Sequence, residues 1–271
     1  MNLLSFSCVL KDAADLANLV PAVAAAGFEG LEPTFTLQGG FPSRAELATS
    51  ASALRQAADA AGLRIPSLRG GPAFWDRFAS PDATLREEAV ELGRQAFETL
   101  RILGGSVLLA VPGRWTHDQT HASAWKGAVE TARQIGAIAE AAGLTLALEN
   151  VENEFLTSPR EWRQFLTEVN HPSVGLYFDV GNAVRNRQGP PDRWIEELAP
   201  LIRRIHFKGA IRGGAPVPLL EGDVDWPRVV AALRAADYTD WIGVELTPPP
   251  FCVPEWLKGV RASAAEILNL P

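Results

Sequence analysis

Apolar positions along the chain follow two alternating periods. Short runs rich in β-formers alternate with longer stretches of helical period, eight times over the sequence. The first run, Leu3–Leu10, precedes a helix opened by Asp12 and closed near Gly27. Gly30–Phe35 precedes a helix over 43–61 that Gly62 ends, and Leu63–Leu68 precedes one from Ser80-Pro81 to Gly104. Ser106–Val111 leads into a helix over 122–142 closed by Gly143, and Leu144–Val151 into one from Ser158-Pro159 to Val169. Val174–Val180 is followed by a helix from Pro191 to Leu201, and Arg204–Lys208 by Asp225–Ala236. Trp241–Leu246 and a helix over Pro254–Leu270 complete the series.

Local chemistry supports these boundaries. Ser80-Pro81 and Ser158-Pro159 each put a capping hydroxyl before a proline at the first helical position. Gly27, Gly62 and Gly143 each follow an alanine at a helix end, where glycine takes the left-handed conformation freely. Runs such as Leu144-Thr145-Leu146-Ala147-Leu148 show little alternation, which suits parallel strands buried on both faces. Eight strand–helix units predict an α/β fold, a (β/α)8 TIM barrel, in a single domain over 1–271. No GxGxxG follows a strand and no GxxxxGK[ST] occurs, which weighs against a nucleotide-binding open sheet.

Composition narrows the class. The 271 residues carry 25 basic and 32 acidic side chains, a net charge of −7, which argues against a non-specific grip on nucleic acid. Two cysteines, Cys8 and Cys252, form no CxxC pair, so neither a disulfide framework nor a cysteine zinc site is expected. No signal-peptide pattern or membrane-spanning run is evident, so a cytoplasmic protein without a membrane partner is the expectation.

Chemistry gathers where the later strands end. The fifth run ends in Glu149-Asn150, the sixth in Asp179, the seventh in His206-Phe207-Lys208 and the eighth in Glu245. In a barrel these C-terminal ends converge on one mouth. A lone carboxylate after a strand is most often a cap or a solvated loop residue. Ionisable groups on four successive strands need another account, because converging carboxylates without a counter-charge repel. One divalent cation resolves the conflict. Oxygen ligands with one imidazole suit Mn²⁺ first, with Mg²⁺, Co²⁺ or Zn²⁺ as alternatives.

Such a site supports one kind of chemistry. Removing a proton beside a carbonyl gives an enediolate, which a chelated metal stabilises. Two glutamates on opposite walls can take the proton from one face and return it to the other. Glu32, Arg69, Lys208 and Trp115 are further candidates for binding a sugar or polyol substrate, by hydroxyl contacts, charge or stacking on an apolar sugar face. Phe6, Ser67 and Trp75 are weaker candidates for the mouth.

The runs Leu146-Ala147-Leu148-Glu149-Asn150, Phe178-Asp179-Val180-Gly181-Asn182-Ala183, Ile205-His206-Phe207-Lys208 and Gly243-Val244-Glu245 resemble the xylose-isomerase-like TIM-barrel superfamily. Within it they are most similar to the sugar phosphate isomerase/epimerase family, which includes the ketose 3-epimerases. The resemblance implies that Glu149, Asp179, His206 and Glu245 hold one divalent metal, and that Glu149 and Glu245 act as acid and base. It implies that Arg212 holds substrate oxygens. Two departures stand out. Asn182 occupies the place of a substrate-binding histidine, and Phe155 that of a further glutamate, with Glu152 nearby. Asn182 and Glu152 are accordingly carried as substrate-binding candidates.

Together these readings predict a metal-dependent sugar isomerase or epimerase, with relatives that form homodimers or homotetramers. The alternative is a keto-sugar or inosose lyase or dehydratase using the same carbanion. A DNA-repair enzyme of the endonuclease IV type shares the barrel but uses many histidines, and this chain has four.

Overall fold

The strand β1 (Leu4–Cys8) opens a ring that continues with β2 (Gly30–Pro33), β3 (Ser67–Arg69), β4 (Val107–Ala110), β5 (Thr145–Glu149), β6 (Val174–Asp179) and β7 (Ile202–Phe207). A small antiparallel hairpin, β8 (Gly209–Ala210) and β9 (Pro216–Val217), follows, and β10 (Ile242–Glu245) is the last strand of the ring. The computed structural model describes residues 2–249 and 252–270; Met1, Pro250, Phe251 and Pro271, including both ends of the expected 1–271 domain, lie outside the described residues. The eight ring strands are parallel, in the order β2-β1-β10-β7-β6-β5-β4-β3. Single bridges from Gly30 to Arg64 and from Thr34 to Arg69 join β2 to β3, so the barrel is nearly closed.

The helices in chain order are α1 (Ala13–Ala25), α2 (Leu47–Ala60), α3 (Gly71–Phe74), α4 (Ala83–Leu103), α5 (His121–Ala141), α6 (Pro159–Val169), α7 (Val180–Arg185), α8 (Pro191–Leu198), α9 (Trp226–Ala235) and α10 (Val253–Leu268). Asp12 and Ser158 cap α1 and α6 by accepting the N–H of Asp15 and Glu161. Gly27, Gly62 and Gly143 end helices with φ of +91°, +73° and +67°, as their Ala-Gly context implies.

The strands are less uniform than their apolar appearance suggests. Successive side chains point to opposite faces, and the two faces differ in kind. Outward residues such as Phe6, Leu31, Leu108, Leu146, Phe178 and Ile205 pack on the helices in the main core. The inward set at matching register is small or polar: Ser7 beside Glu245, Glu149 beside Tyr177, Asp179 beside His206, and His206 beside Gly243. A separate apolar cluster of Val107, Leu109, Ala147 and Tyr177 fills part of the interior. The polar remainder forms the site.

Several boundaries differ from the sequence reading. The third strand is confined to Ser67–Arg69 because Pro66, lacking an N–H, cannot donate to a ladder, and only the Gly30–Arg64 bridge precedes it. Asp82, not Ser80, caps α4; its carboxylate accepts the Thr84 N–H at 2.8 Å. Ser43 belongs to the preceding loop, bridged to Thr36, so α2 begins at Leu47. The α3 and α7 turns and the β8–β9 hairpin, all in loops at the mouth, had no periodic signal. Phe6 faces outward against Phe28 and Trp256 rather than the mouth.

Candidate metal centre at the barrel mouth

Glu149, Asp179, His206 and Glu245 stand at or near the ends of β5, β6, β7 and β10, which are consecutive in the sheet. The two glutamates therefore occupy the ends of a four-strand arc rather than opposite walls. Asp179 has two tasks. It ends β6 in extended backbone and caps α7, its Oδ1 accepting the Asn182 N–H at 2.6 Å. That leaves Oδ2 turned toward the cluster.

One donor atom from each of the four residues lies within 4.8 Å of the others. From His206 Nδ1 the distances are 3.6 Å to Glu149 Oε1, 3.7 Å to Glu245 Oε2 and 3.9 Å to Asp179 Oδ2. Among the described residues, His206 Nδ1, Asp179 Oδ2 and Glu245 Oε2 are buried without a hydrogen bond of acceptable geometry, although the Lys208 ammonium stands 3.0 Å from Asp179 Oδ2 and 2.5 Å from Glu245 Oε2. Buried polar atoms are ordinarily satisfied. Three orphaned donors facing one point, with three oxygens and one nitrogen as the donor set, fit a divalent cation.

The electrostatics of this pocket, before any cation, are set by burial and close charges. Burial first, then the neighbouring Glu245 and Asp179 carboxylates, push Glu149 up to about 7 against the pull of His206. Burial and Glu245 raise Asp179, with Lys208 opposing. Burial also acts against the charge on Glu245, yet Lys208, Arg69 and His206 together hold its carboxyl well below the usual range. Burial disfavours the His206 imidazolium, but the Glu32 carboxylate and contacts to Glu149 carry it up to about 10.

The other predicted residues divide into two groups. Lys208, Arg69 and Asn182 reach the mouth. Lys208 spans Asp179 and Glu245 and donates to Asn182 Oδ1 at 3.3 Å. Asn182 donates to Asn150 O at 2.9 Å and to Glu149 Oε1 at 3.4 Å. Arg69 is anchored through Nε to Thr34 Oγ1 at 2.9 Å and pairs through Nη1 with Glu245. Glu152 borders the mouth, paired with Arg185 at 3.3 Å.

Glu32, Trp115 and Arg212 do not join them. Glu32 is fully buried beneath His206, so it meets no solvent-borne sugar hydroxyl. Ser67, also expected at the mouth, donates to Glu32 at 2.5 Å. Trp115 is 44% exposed, bonded through Nε1 to Gln119 O, and lines a neighbouring cavity with Trp75 and Arg114. Arg212 is exposed in the β8–β9 turn, where its N–H donates to Asp223 at 2.8 Å.

Two cavities meet at the cluster and share Arg69, Lys208 and Glu245. One, about 730 Å³, runs beneath the β1–α1 and β10–α10 loops past Ser7, Lys11 and Pro248. The other, about 580 Å³, opens past Trp75, Glu149 and Arg185. The sequence reading missed Tyr177 and Gly243. Both lie two residues before a cluster residue on the same strand, so strand alternation alone puts them on the inner face.

Residues 20–268 match the family described as xylose isomerase-like TIM barrel. The chain is 29% identical over 267 residues to a 2-epi-5-epi-valiolone 7-phosphate 2-epimerase from an Actinoplanes species, covering 92% of each chain. An L-ribulose 3-epimerase structure superposes with a TM-score of 0.80 at 18% identity, over 99% of this chain and 95% of that one. A probable 3-DHS dehydratase from Bacillus anthracis superposes with a TM-score of 0.75 at 17% identity, over 98% and 99% of the two chains.

Proposed function

Because the chain belongs to the family of xylose isomerase-like TIM barrels, we propose that it is a metal-dependent epimerase acting at a carbon beside the carbonyl of a sugar or polyol. The observation that carries this reading is the convergence of four donor atoms, three of them orphaned, from four adjacent strand ends. Its epimerase relative, alike over 92% of both chains, supports inversion over aldose–ketose exchange.

Glu149, Asp179, His206 and Glu245 would hold the metal, Mn²⁺ being the first candidate. When bound, a divalent cation supplies Lewis-acid polarisation of a carbonyl. The rest follows from the chain's own residues. Glu245, the carboxylate at one end of the arc that its neighbouring cations keep ionised, takes the proton from the carbon beside the carbonyl, leaving an enediolate. Glu149, at the other end of the arc, whose carboxyl burial raises to about 7, holds the proton that it returns to the opposite face, and the stereocentre inverts. Lys208 and Arg69, both against Glu245, keep that carboxylate aimed and ionised. Asn182, backed by Asn150, offers polar contact to substrate oxygens. The two cavities that share Arg69, Lys208 and Glu245 give room for a substrate beside the cluster.

A panel of free and phosphorylated ketoses, keto-glycosides and inososes with Mn²⁺ in D₂O, followed by NMR, tests the proposal. Deuterium uptake beside the carbonyl with inversion and no loss of water supports it. An enone product would replace it with the lyase reading. No turnover, together with Mn²⁺ titrations unchanged by Glu149→Gln, would sink it.

A further inference from the structure

The His206 ring is held from behind. Its Nε2 lies 2.7 Å from Glu32 Oε2, and both side chains are fully buried. The other Glu32 oxygen, Oε1, accepts from Tyr177 Oη at 2.6 Å and Ser67 Oγ at 2.5 Å. A carboxylate that accepts from two hydroxyls on one oxygen has only acceptor capacity left on the other. The hydrogen between Glu32 and His206 therefore belongs to Nε2. The Nδ1 atom is left as the ring's free position, and it is the atom that faces Glu149, Asp179 and Glu245.

Packing closes the remaining freedom of the ring. The Tyr177 ring leans against it at 4.4 Å between centroids. On the far side Gly243 leaves only the space of a hydrogen, since a Cβ there would stand 2.6 Å from His206 Cδ2. Glu32, Ser67, Tyr177, His206 and Gly243 come from five different strands, β2, β3, β6, β7 and β10, so the arrangement is a tertiary one with no local signature.

We infer that Glu32 is a positioning residue, fixing His206 in the Nε2–H tautomer so that Nδ1 points its lone pair at the metal. It does so from the barrel interior, with Tyr177 and Ser67 orienting it in turn. This inference rests on the metal reading proposed above. A carboxylate behind a ligating imidazole both sets the tautomer and raises the basicity of the ligating nitrogen.

The test uses the purified full chain with metal alone. Mn²⁺ is titrated calorimetrically into the wild type, Glu32→Gln and Tyr177→Phe, each checked for folding by circular dichroism. Glu32→Gln is expected to weaken Mn²⁺ binding by roughly 10- to 100-fold, and Tyr177→Phe by much less. Long-range ¹H–¹⁵N spectra of the Mg²⁺-loaded wild type are expected to show the His206 proton on Nε2. Folded Glu32→Gln with affinity within about twofold of wild type, or a His206 proton on Nδ1, overturns the inference while leaving the metal centre standing. If Glu32→Gln fails to fold, the tautomer of the wild type decides alone. A wild type that binds no Mn²⁺ fails the metal reading itself, a separate outcome.

Discussion

Gly243 and His206 are register partners on adjacent strands, and the missing Cβ of the glycine is what leaves room for the imidazole. A Cβ at position 243 would meet His206 Cδ2 at 2.6 Å, His206 Nε2 at 2.9 Å and the Tyr177 hydroxyl at 3.3 Å. None of these can yield without breaking the Glu32 contacts behind the ring. Gly243→Ala should therefore cost about 1–3 kcal/mol of stability through overpacking, and should lower Mn²⁺ affinity as well. Urea unfolding and metal titration on one preparation check both. Unchanged affinity would mean the ring has room that the packing denies.

Arg69 joins the two halves of the mouth, held to Thr34 on one side and Glu245 on the other. Arg69→Met removes one of the three groups, with Lys208 and His206, that hold the Glu245 carboxyl down. The Glu245 carboxyl should rise from its depressed value, moving the acidic limb of the pH–rate profile upward. A hydrogen bond to a charged group is worth about 1.5–3 kcal/mol, so kcat/KM should fall by roughly one to two orders of magnitude. Steady-state kinetics across pH, on whichever substrate the NMR panel identifies, measures both effects.

The buried groups also predict how the metal-stripped protein responds to pH. Burial raises the Glu32 carboxyl, but His206, Ser67 and Tyr177 together bring it down to about 2. Its stabilising contribution is thus present above the ordinary value of 4.5 and is lost as pH falls toward 2. Glu149, raised to about 7, acts with the opposite sign: the folded chain keeps its proton longer, so stability declines between 4.5 and about 7. His206, raised to about 10, contributes stability that is fully present below 6.5 and is lost as pH rises from there to about 10. These three groups predict a chelator-treated protein that melts lower at pH 9 than at pH 5. Glu149→Gln should remove the part of the decline below pH 7. Melting curves at both pH values decide it, and equal slopes for the two proteins would contradict the assignment.

The opposite end of the barrel gives a control. Arg204, near the start of β7, is buried with its guanidinium against Asp240 and donates to Ser106 Oγ at 3.2 Å. Asp240→Asn leaves a buried cation with a weaker partner and should destabilise the fold by about 1–3 kcal/mol, with Mn²⁺ affinity unchanged. A loss of metal binding there would show that the two ends of the barrel are coupled.

How much of this was legible beforehand depends on the distance over which each feature is encoded. Asp12, Ser158 and the Ala-Gly helix ends were readable because capping involves neighbours within a turn. The fold class was readable because strand and helix periods alternate along the whole chain. Glu149, Asp179, His206 and Glu245 were readable as a group because a parallel barrel brings every strand's C-terminal end to one mouth. Even Asp82 displacing Ser80 as the α4 cap was a choice between neighbours that local propensity left open.

The sequence by itself determined the eight-unit barrel and which four side chains could meet. It could not say which way each faced beyond the strand end, since that depends on register and closure. Glu32 shows the difference: from its strand it could have bound a sugar, and only the barrel's closure placed it 2.7 Å from His206, dry and behind the ring. Arg212 shows the converse, a motif position that the β8–β9 turn carries into solvent. Backbone periods are local and survive in the sequence. The facing of a charged side chain is settled by distant partners, as Glu32 and His206 are at 174 residues apart, and exists only once the barrel has closed.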